Sequence, residues 1–592
     1  MSSSNFDTVI SGGTIVDGSG ADAFSGDIGI TDGKIAAVGG VLTGKQTVDA
    51  DGALVTPGWV DVHTHFDGQA AWDDTLDPSF SNGVTTLVMG NCGVGFAPCP
   101  PGEQQTLIEL MEGVEDIPGS ALHEGVPWGA WESFPEYLDF LADRNYAVDI
   151  AAQLAHGALR FHVMRERGVN NEDATADDIA AMRKLTAEAV AAGAVGVSTS
   201  RTIFHRSLDG EAVPGTYASI DELREIALGI ADGGGAVLEA ITSSSIGDME
   251  SLGGERFTQE EELAMLAELA EASGQNITFT TVQNPDRPTD WKAVLSFAAA
   301  HNETPGRSSG LLFPQVASRP IGLLTGLSGY HAFMRRSSFL EIAHLPTSEL
   351  AAAMRDPERK KRILTDDDVP PDNPGSMEAL YQGLHRSIPI QYALPKGAVD
   401  YEPGPESTMM AIAKAQGLSP EEATYDFLCE GDGSNLTALL GAGYVDGNLD
   451  ALHEMLSNPH TITGLADAGA HVKLICDGTM PTTQLTHWTR DRTRGEKIPV
   501  EFVVAKQTRR NAELYGFHDR GLLAEGFRAD INIIDMDNLE VHAPQAHDDL
   551  PAGGRRLLQP VKGYVATFLN GVQTRANDTD LGVRPGRLVR NQ

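Results

Sequence analysis

Short apolar runs alternate with amphipathic stretches through the middle of the chain. Eight runs are β-rich, at residues 58–65, 84–91, 148–157, 194–200, 236–242, 277–283, 309–316 and 461–471. Helical patterns separate several of these runs, and this alternation favours a parallel sheet. Eight such units predict an α/β fold, a (β/α)8 TIM-type barrel, with seven or nine strands as the alternatives.

The helical patterns between the strands carry their own start and stop signals. They cover residues 175–193, 219–234 and 258–274. Thr175 and Ser219 open the first two, with acidic residues close behind, which suits an N-cap and the helix dipole. A glycine follows each pattern, and glycine commonly ends a helix.

Both ends of the chain are β-rich and rich in turns. Asp32-Gly33 and Asn570-Gly571 each separate two strand-like runs, which is a hairpin signal. We therefore expect one small β-sandwich domain formed by both termini. The predicted division is 1–57 and 511–592 for the sandwich, 58–316 and 461–510 for the barrel, and 317–460 for an insertion before the last barrel strand.

Two long gaps interrupt the barrel pattern. They are residues 92–147, after the second strand, and residues 317–460, before the eighth. Insertions after barrel strands lie on the face where such proteins have their active sites. We expect 317–460 to be a subdomain or lid that bears on the substrate.

Composition narrows the class of protein. The 592 residues are 41% hydrophobic and 21% charged, as in a soluble globular protein. A formal charge of -40 argues against a nucleic-acid partner. No apolar run is long enough to predict a membrane span, and the N-terminus lacks a signal-peptide pattern. Four cysteines make no disulfide framework, so we expect a cytoplasmic protein, with a homodimer as a possible assembly.

The stretch "GWVDVHTHFDG" places His63 and His65 at the end of the first barrel strand. Residues two apart in a strand face the same side, so both imidazoles point together. Two imidazoles at this spacing suit Zn²⁺ or a similar divalent ion. The alternative is a pair of polar side chains at a strand end. Asp61 and Asp67 either accept hydrogen bonds from the histidine ligands or are simple surface acids.

Cys92 and Asp467 are expected at the same rim of the barrel. Cys92 follows the second strand, in a loop with Gly90, Gly93 and Gly95, and a thiolate is a strong zinc ligand. A buried apolar cysteine is the alternative.

Asp467 ends the eighth strand, which barrel closure brings next to the first. Its carboxylate can bind a metal and take a proton from water, or it can simply open a turn.

Four stretches together resemble a known family. "GWVDVHTHFDG", "GNCGVGFAP", "LAHGALR" and "ADAGAH" are similar to the amidohydrolase superfamily, and within it to the N-acyl-D-amino-acid deacylase (D-aminoacylase) group. The resemblance runs over nearly the whole chain. It implies that His63, His65 and Cys92 are metal ligands and that Asp467 is the metal-linked general acid/base. It also places His156, in "LAHGALR", as a donor to a substrate oxygen or a ligand.

The chain departs from that group at two strands. The deacylases carry a histidine at the end of the fifth strand and another on the sixth. Here the fifth reads "AVLEAITSS", with Ala240, and the sixth reads "ITFTTVQN", with Thr280 and Thr281. We therefore expect one Zn²⁺ more than two, other divalent metals being alternatives. Glu239 is the first candidate to replace a missing ligand.

The remaining candidates concern the substrate. Glu239, Ser200, Arg201 and His331 are the predicted substrate-binding residues. Arg490 and Arg492 could serve an anion, but exposed helix charges are the preferred interpretation.

The sequence therefore predicts a metal-dependent hydrolase of a non-peptide C–N bond. The favoured substrate is a small N-acyl amino acid; another amide, a cyclic amide or a carbamate is the alternative. A non-catalytic ligand-binding barrel of the same fold is the second alternative. In the favoured case, Asp467 acts as general base and His156 as neutral donor.

Overall fold

The structure is a computed structural model that describes residues 6–243, 257–475 and 477–591. Its strands are β1 Phe6–Ile15, β2 Phe24–Thr31, β3 Lys34–Val38, β4 Gly44–Asp49, β5 Leu54–Pro57, β6 Trp59–Thr64, β7 Val84–Met89, β8 Asp149–Ala155, β9 Gly196–Ser200, β10 Val237–Ile241, β11 Ile277–Thr280, β12 Leu312–Val316, β13 Ile321–Gly326, β14 Tyr392–Ala393, β15 Leu436–Ala442, β16 Ile462–Thr463, β17 Ile531–Ile534, β18 Glu540–Val541, β19 Gln545–Leu550, β20 Gly554–Leu558, β21 Val561–Lys562, β22 Tyr564–Leu569, β23 Val572–Ala576 and β24 Thr579–Asp580.

The helices are α1 Gln104–Glu115, α2 Gly119–Gly125, α3 Phe134–Ala142, α4 His156–Met164, α5 Glu166–Val169, α6 Ala176–Ala191, α7 Ile220–Asp232, α8 Gln259–Ser273, α9 Trp291–Asn302, α10 Ser337–Leu340, α11 Thr347–Met354, α12 Pro357–Thr365, α13 Tyr381–Ser387, α14 Met409–Gln416, α15 Pro420–Leu428, α16 Asp450–Ser457, α17 Met480–Thr483, α18 Val500–Ala505 and α19 Asn511–Leu514.

All eight predicted barrel strands form, and they make one parallel sheet. Its order is β6-β7-β8-β9-β10-β11-β12-β16. Two backbone hydrogen bonds close the barrel between the first and last strands: Asp467 N donates to His63 O at 3.1 Å, and His65 N donates to Ala468 O at 2.8 Å. The predicted (β/α)8 barrel is confirmed, and its closure sets the loop after β16 beside the end of β6.

The three helical patterns form α6, α7 and α8, and Thr175 and Ser219 are the predicted caps. The side chains of Thr175, Ser219 and Thr258 each accept a hydrogen bond from the backbone N–H three residues on. Thr175 and Thr258 complete capping boxes with an acidic residue at that position. Each cap satisfies donors that the first turn of a helix leaves free.

Strands from both ends of the chain share one nine-stranded sheet. Its order is β24-β23-β22-β17-β5-β1-β2-β3, and β4 pairs with β1. The two predicted hairpins are present, β2–β3 at Asp32-Gly33 and β22–β23 at Asn570-Gly571. All four turn residues have φ between 50° and 76°, as a type I′ turn requires.

Residues 317–460 contain a small sheet, ordered β13-β15-β14, and helices α10 to α16. Part of this insertion has its own apolar core, with Phe333, Phe339 and Tyr425 among its members. The insertion contacts the barrel mouth, because Tyr330 Oη donates to Asp116 Oδ1 at 2.6 Å. Its role as a lid and the exact domain boundaries stay predictions.

The gap at 92–147 folds into α1, α2 and α3. Helix α1 ends at Glu115, and Asp116 follows it with φ of 51°. Both residues are buried. This helix end therefore delivers two acidic side chains to the mouth of the barrel.

No helix in the described residues combines the length and apolar character needed to cross a bilayer. The thiols of Cys92, Cys99 and Cys429 are buried and free.

Candidate metal centre

Four predicted residues converge at the mouth of the barrel. One ligand atom from each of His63, His65 and Cys92 lies within 4.8 Å of the other two. Asp467 Oδ1 lies 3.1 Å from His63 Nε2 and 3.6 Å from His65 Nε2. Cys92 Sγ lies 3.4 Å from His63 Nε2. These side chains are buried, and only that of Asp467 is partly exposed, at 14%.

The strand geometry explains the convergence. His63 and His65 point to the same side at the end of β6, and the closing hydrogen bonds hold Asp467 against them. Cys92 and Asp467 both adopt left-handed backbone conformations, with φ of 58° and 45°. Such conformations are unfavourable for residues with a Cβ and recur at functional sites.

The cysteine loop, residues 90–93, is held from two strands. Ser198 Oγ donates to Gly90 O and accepts from Gly93 N at 3.0 Å. Glu239 Oε2 accepts from Cys92 N at 3.3 Å. Glu239 Oε1 lies 4.0 Å from His63 Nδ1, so this carboxylate lies beside the cluster. A residue that replaces a missing histidine ligand must lie there.

His63 has a defined orientation. Its Nδ1 lies 2.6 Å from Gln315 Oε1, so Nδ1 carries the proton and donates to the amide oxygen. Burial lowers the pKa of His63 below its ordinary value and favours the neutral ring. The lone pair of Nε2 then faces Cys92 Sγ and Asp467 Oδ1.

Several buried polar atoms in the cluster have no hydrogen-bond partner among the described residues. They include both ring nitrogens of His65, both carboxylate oxygens of Glu115 and Glu239 Oε1. Leaving such atoms unpaired is costly. Imidazole nitrogen, thiolate sulfur and carboxylate oxygen are the donor set that zinc prefers. The residues present therefore fit a divalent metal.

The acids around the cluster are difficult to ionise. Burial raises the pKa of Asp61 and Asp67 to about 7 and that of Glu239 to about 8. Asp467 differs, because attraction to the protonated forms of His63, His65 and His471 outweighs its burial and lowers its pKa below the ordinary value. Asp467 is thus the carboxylate in the group that stays charged most readily.

Comparison with known proteins places this centre in a family. The model of the amidohydrolase family matches residues 46–575. The chain belongs to the amidohydrolase family. It is 36% identical to a D-aminoacylase of Alcaligenes xylosoxydans xylosoxydans over 196 residues, which are 33% of this chain and 37% of that protein. The matched part thus spans little more than a third of the relative.

Two solved structures share the fold over the whole chain. A D-aminoacylase described with a binuclear metal centre superposes with a TM-score of 0.63 at 21% identity, covering 99% of this chain and 100% of that one. An N-acyl-D-glutamate deacylase of Bordetella bronchiseptica, complexed with zinc and a phosphonate inhibitor, gives a TM-score of 0.61 at 23% identity with the same coverage.

This amidohydrolase lacks imidazoles at the fifth and sixth strands, where the deacylase resemblance leads one to expect them. Ala240 lies in β10, Thr280 ends β11 and Thr281 follows it. Both threonine hydroxyls are buried and have no hydrogen-bond partner among the described residues.

His156 is buried in a separate hydrogen-bonded network. Its Nε2 lies 2.9 Å from Glu222 Oε1, and its Nδ1 lies 2.9 Å from Thr199 Oγ1. Arg160 Nε also donates to Glu222 Oε1, at 2.9 Å. Because both ring nitrogens are engaged, this geometry does not support the predicted donation to a substrate oxygen.

Ser200 and Arg201 have different surroundings. Ser200 Oγ lies 2.8 Å from His205 Nδ1. Burial, followed by the charges of His471 and His65, lowers the pKa of His205 to about 3, so His205 is neutral near the cluster. Arg201 is instead paired with Glu262 at 2.8 Å inside the protein.

His331 and Arg492 lie in packed environments. His331 Nδ1 accepts from Phe333 N at 3.2 Å, and its ring packs on Phe339 with centroids 4.6 Å apart. These contacts belong to the core of the insertion. Arg492 is buried and its Nε lies 3.1 Å from Glu402 Oε2 of the insertion, so the expectation of an exposed helix charge is wrong for it.

Three residues near the centre escaped the sequence analysis: Gln315, Glu115 and His205. Glu115 Oε1 lies 3.4 Å from His65 Nδ1, and Glu115 Oε2 lies 3.5 Å from His471 Nε2. Gln315 carried a signal, since it is an inward polar residue in the apolar run "LLFPQV". Glu115 and His205 lie outside the strands, where no periodicity points to the site.

A small cavity of about 20 Å³ lies beside Asp467. The loop after β16 forms one wall, and Gln69 and Pro78 form another. Arg556 and Leu557, from the β19–β20 hairpin, complete the lining. The C-terminal part of the chain therefore reaches the edge of the metal centre.

Proposed function

We propose that this amidohydrolase is a metal-dependent enzyme that hydrolyses a non-peptide C–N bond, with an N-acyl amino acid as the favoured substrate. The observation that carries the proposal is the convergence of His63, His65, Cys92 and Asp467 on one buried point. The 36% identity with a D-aminoacylase supports the substrate class.

We further propose one Zn²⁺ per chain, held by His63, His65 and Cys92 with Asp467 beside them. A divalent ion there supplies a Lewis acid for the scissile carbonyl and lowers the pKa of water. The absence of histidine at Ala240, Thr280 and Thr281 supports one ion rather than two.

The protein's own groups account for the proton transfers. Asp467, whose pKa lies below its ordinary value, accepts the proton of the attacking water and returns it to the leaving nitrogen. The side chain of Asp467 is partly exposed and borders the small cavity. Neutral His205, fixed by Ser200, takes the place of His156 as the imidazole that faces the substrate oxygen.

The first test is metal content in protein purified without chelator, for the native chain, Cys92→Ala and Cys99→Ala. Both cysteines are 6% exposed, so Cys99→Ala is a matched control for loss of a buried thiol. We expect one zinc in the native chain, a marked loss in Cys92→Ala and no change in Cys99→Ala. Equal metal content in the two variants would contradict a thiolate ligand.

Turnover is then measured on N-acyl-D- and N-acyl-L-amino acids, cyclic amides and carbamates. Hydrolysis of N-acyl amino acids supports the favoured substrate. Hydrolysis of only cyclic amides or carbamates would show that the favoured substrate is wrong. A native chain that binds no zinc, manganese or cobalt would favour the non-catalytic ligand-binding barrel.

The location and assembly are proposed separately. A small number of cysteines, three of them free and buried, supports a reducing cytoplasm. The homodimer stays a prediction that light scattering can test.

A further inference from the structure

Gln315 is a polar side chain in the wall of the barrel, and it is 1% exposed. It lies on β12, whereas its hydrogen-bond partner His63 lies on β6. Strand β16 stands between these two strands in the sheet. The side chain of Gln315 therefore crosses a whole strand to reach the imidazole.

A glycine directly after the strand in between makes that crossing possible. A Cβ added at Gly464 would lie 2.5 Å from Gln315 Cδ, 2.6 Å from its Cγ and 2.6 Å from its Oε1. Real Cβ atoms do not approach other atoms so closely. Gly464 has no left-handed φ that would explain a glycine by backbone strain. The space above Gly464 is instead filled by the amide of Gln315.

The other end of the amide is held as well. Gln315 Nε2 donates to Thr278 Oγ1 at 3.4 Å, and Thr278 Oγ1 donates to Phe313 O at 3.0 Å. Because the threonine hydroxyl already uses its hydrogen, it can only accept from Gln315. This arrangement leaves the amide oxygen of Gln315 facing His63 Nδ1.

We infer that Gln315 is a positioning residue that, through the space left by Gly464, fixes His63 with its proton on Nδ1 and its Nε2 lone pair directed at the metal position. The inference rests on the proposed metal-dependent function. Groups that hold a histidine ligand from its far nitrogen commonly raise metal affinity about 10–100-fold.

The test is the zinc dissociation constant, measured by competition with a chelator, in purified full-length variants. Gln315→Leu removes the acceptor at similar size, and we expect zinc affinity to fall about 10–100-fold. Gln315→Glu keeps an acceptor oxygen in place and should retain most of the native affinity. Gln391→Leu is the control, since Gln391 is a buried glutamine hydrogen-bonded inside the insertion.

Gly464→Ala tests the same inference without touching the amide, because its methyl group displaces Gln315. We expect zinc affinity to fall as in Gln315→Leu, and the double variant to lose no more than Gln315→Leu alone. Additive losses would show that the two residues act separately. This variant also keeps the test available if Gln315→Leu does not fold.

The outcomes separate this inference from the proposed function. Native zinc affinity in folded Gln315→Leu, with zinc bound by the native chain, would overturn the positioning role and leave the function standing. A native chain that binds no divalent metal would overturn the function itself, and the positioning role with it. Equal losses in Gln315→Leu and Gln391→Leu would show a general loss of stability and contradict the inference.

Discussion

At the scale of single residues, the charge of Asp467 depends on its neighbours. His63 Nε2 and His65 Nε2 lie 3.1 Å and 3.6 Å from the same carboxylate oxygen. Attraction to the protonated forms of these rings outweighs the burial of Asp467 and lowers its pKa, whereas burial raises the pKa of nearby Asp61 and Asp67 to about 7. One carboxylate in an acidic group is thus kept ionised, which is what a general base requires.

Asp467→Asn removes this charge and keeps the shape of the side chain. Because a positioned general base contributes about 10²–10⁴-fold to a rate, we expect turnover to fall by that factor. The thermal midpoint should change little, since the closing hydrogen bonds use the backbone of residue 467. Asp27→Asn is the control: Asp27 is a buried aspartate on β2 of the nine-stranded sheet and accepts from Gly12 N. Native turnover in Asp467→Asn would contradict the proposed role of Asp467 as general base.

The meeting of four candidate residues could be predicted because they lie at the ends of parallel strands. His63 lies near the end of β6, His65, Cys92 and Asp467 come after β6, β7 and β16, and the ends of parallel strands meet at one rim. Glu115 escaped because it arrives from the end of α1, inside the first long gap. Its place against His65 and His471 depends on tertiary packing that no local pattern encodes.

At the scale of elements, the backbone of the cysteine loop packs directly against the backbone of β9. Gly93 has φ of 69°, and a Cβ there would lie 2.8 Å from Ser200 N on β9. The backbone atom cannot move aside as a flexible side chain would. Cys92 therefore takes its place only because its neighbour has no side chain.

Gly93→Ala should strain the loop and displace Cys92. The left-handed backbone alone costs about 1–2 kcal/mol, and the collision with β9 adds to it. Gly102→Ala separates the two effects, because Gly102 has φ of 80° with nothing within 4 Å of its added Cβ. We expect a larger fall in thermal midpoint for Gly93→Ala than for Gly102→Ala, and loss of zinc only in the former. Equal falls with full zinc content would rule out the close approach as a constraint.

Several helix starts and hairpin turns could be predicted from the sequence. Thr175 and Ser219 predicted the starts of α6 and α7, because a side-chain oxygen there satisfies free N–H groups. Asp32-Gly33 and Asn570-Gly571 predicted hairpins, because both residues of such a turn need positive φ. These signals are local, and local chemistry decides them.

At the scale of the whole molecule, the protein has more than one apolar core. The barrel has the largest, and part of the insertion packs around Phe333, Phe339 and Tyr425. The sequence identified the insertion by its length and polarity but predicted His331 as a substrate contact. His331 is instead inside this second core, since its ring packs on Phe339 and its Nδ1 accepts from Phe333 N. Which loop residues face the barrel mouth depends on how the insertion packs.

The burial of His331 makes the stability of the insertion depend on pH. Burial lowers the pKa of His331 from 6.5 to about 3, because the apolar core disfavours the charged ring. A neutral buried histidine contributes fully above its unfolded pKa of 6.5. That contribution is lost as pH falls from 6.5 towards 3. Between pH 7.5 and pH 5 the loss is about 2 kcal/mol by linkage.

His331→Asn removes the titration and keeps an acceptor, since Asn Oδ1 can bond the N–H two residues on. We expect the thermal midpoint of the native chain to fall more between pH 7.5 and pH 5 than that of His331→Asn. His344→Asn, at an exposed histidine of the same insertion, should keep the native acid sensitivity. If His331→Asn loses as much as the native chain on acidification, His331 does not set the acid stability of the insertion.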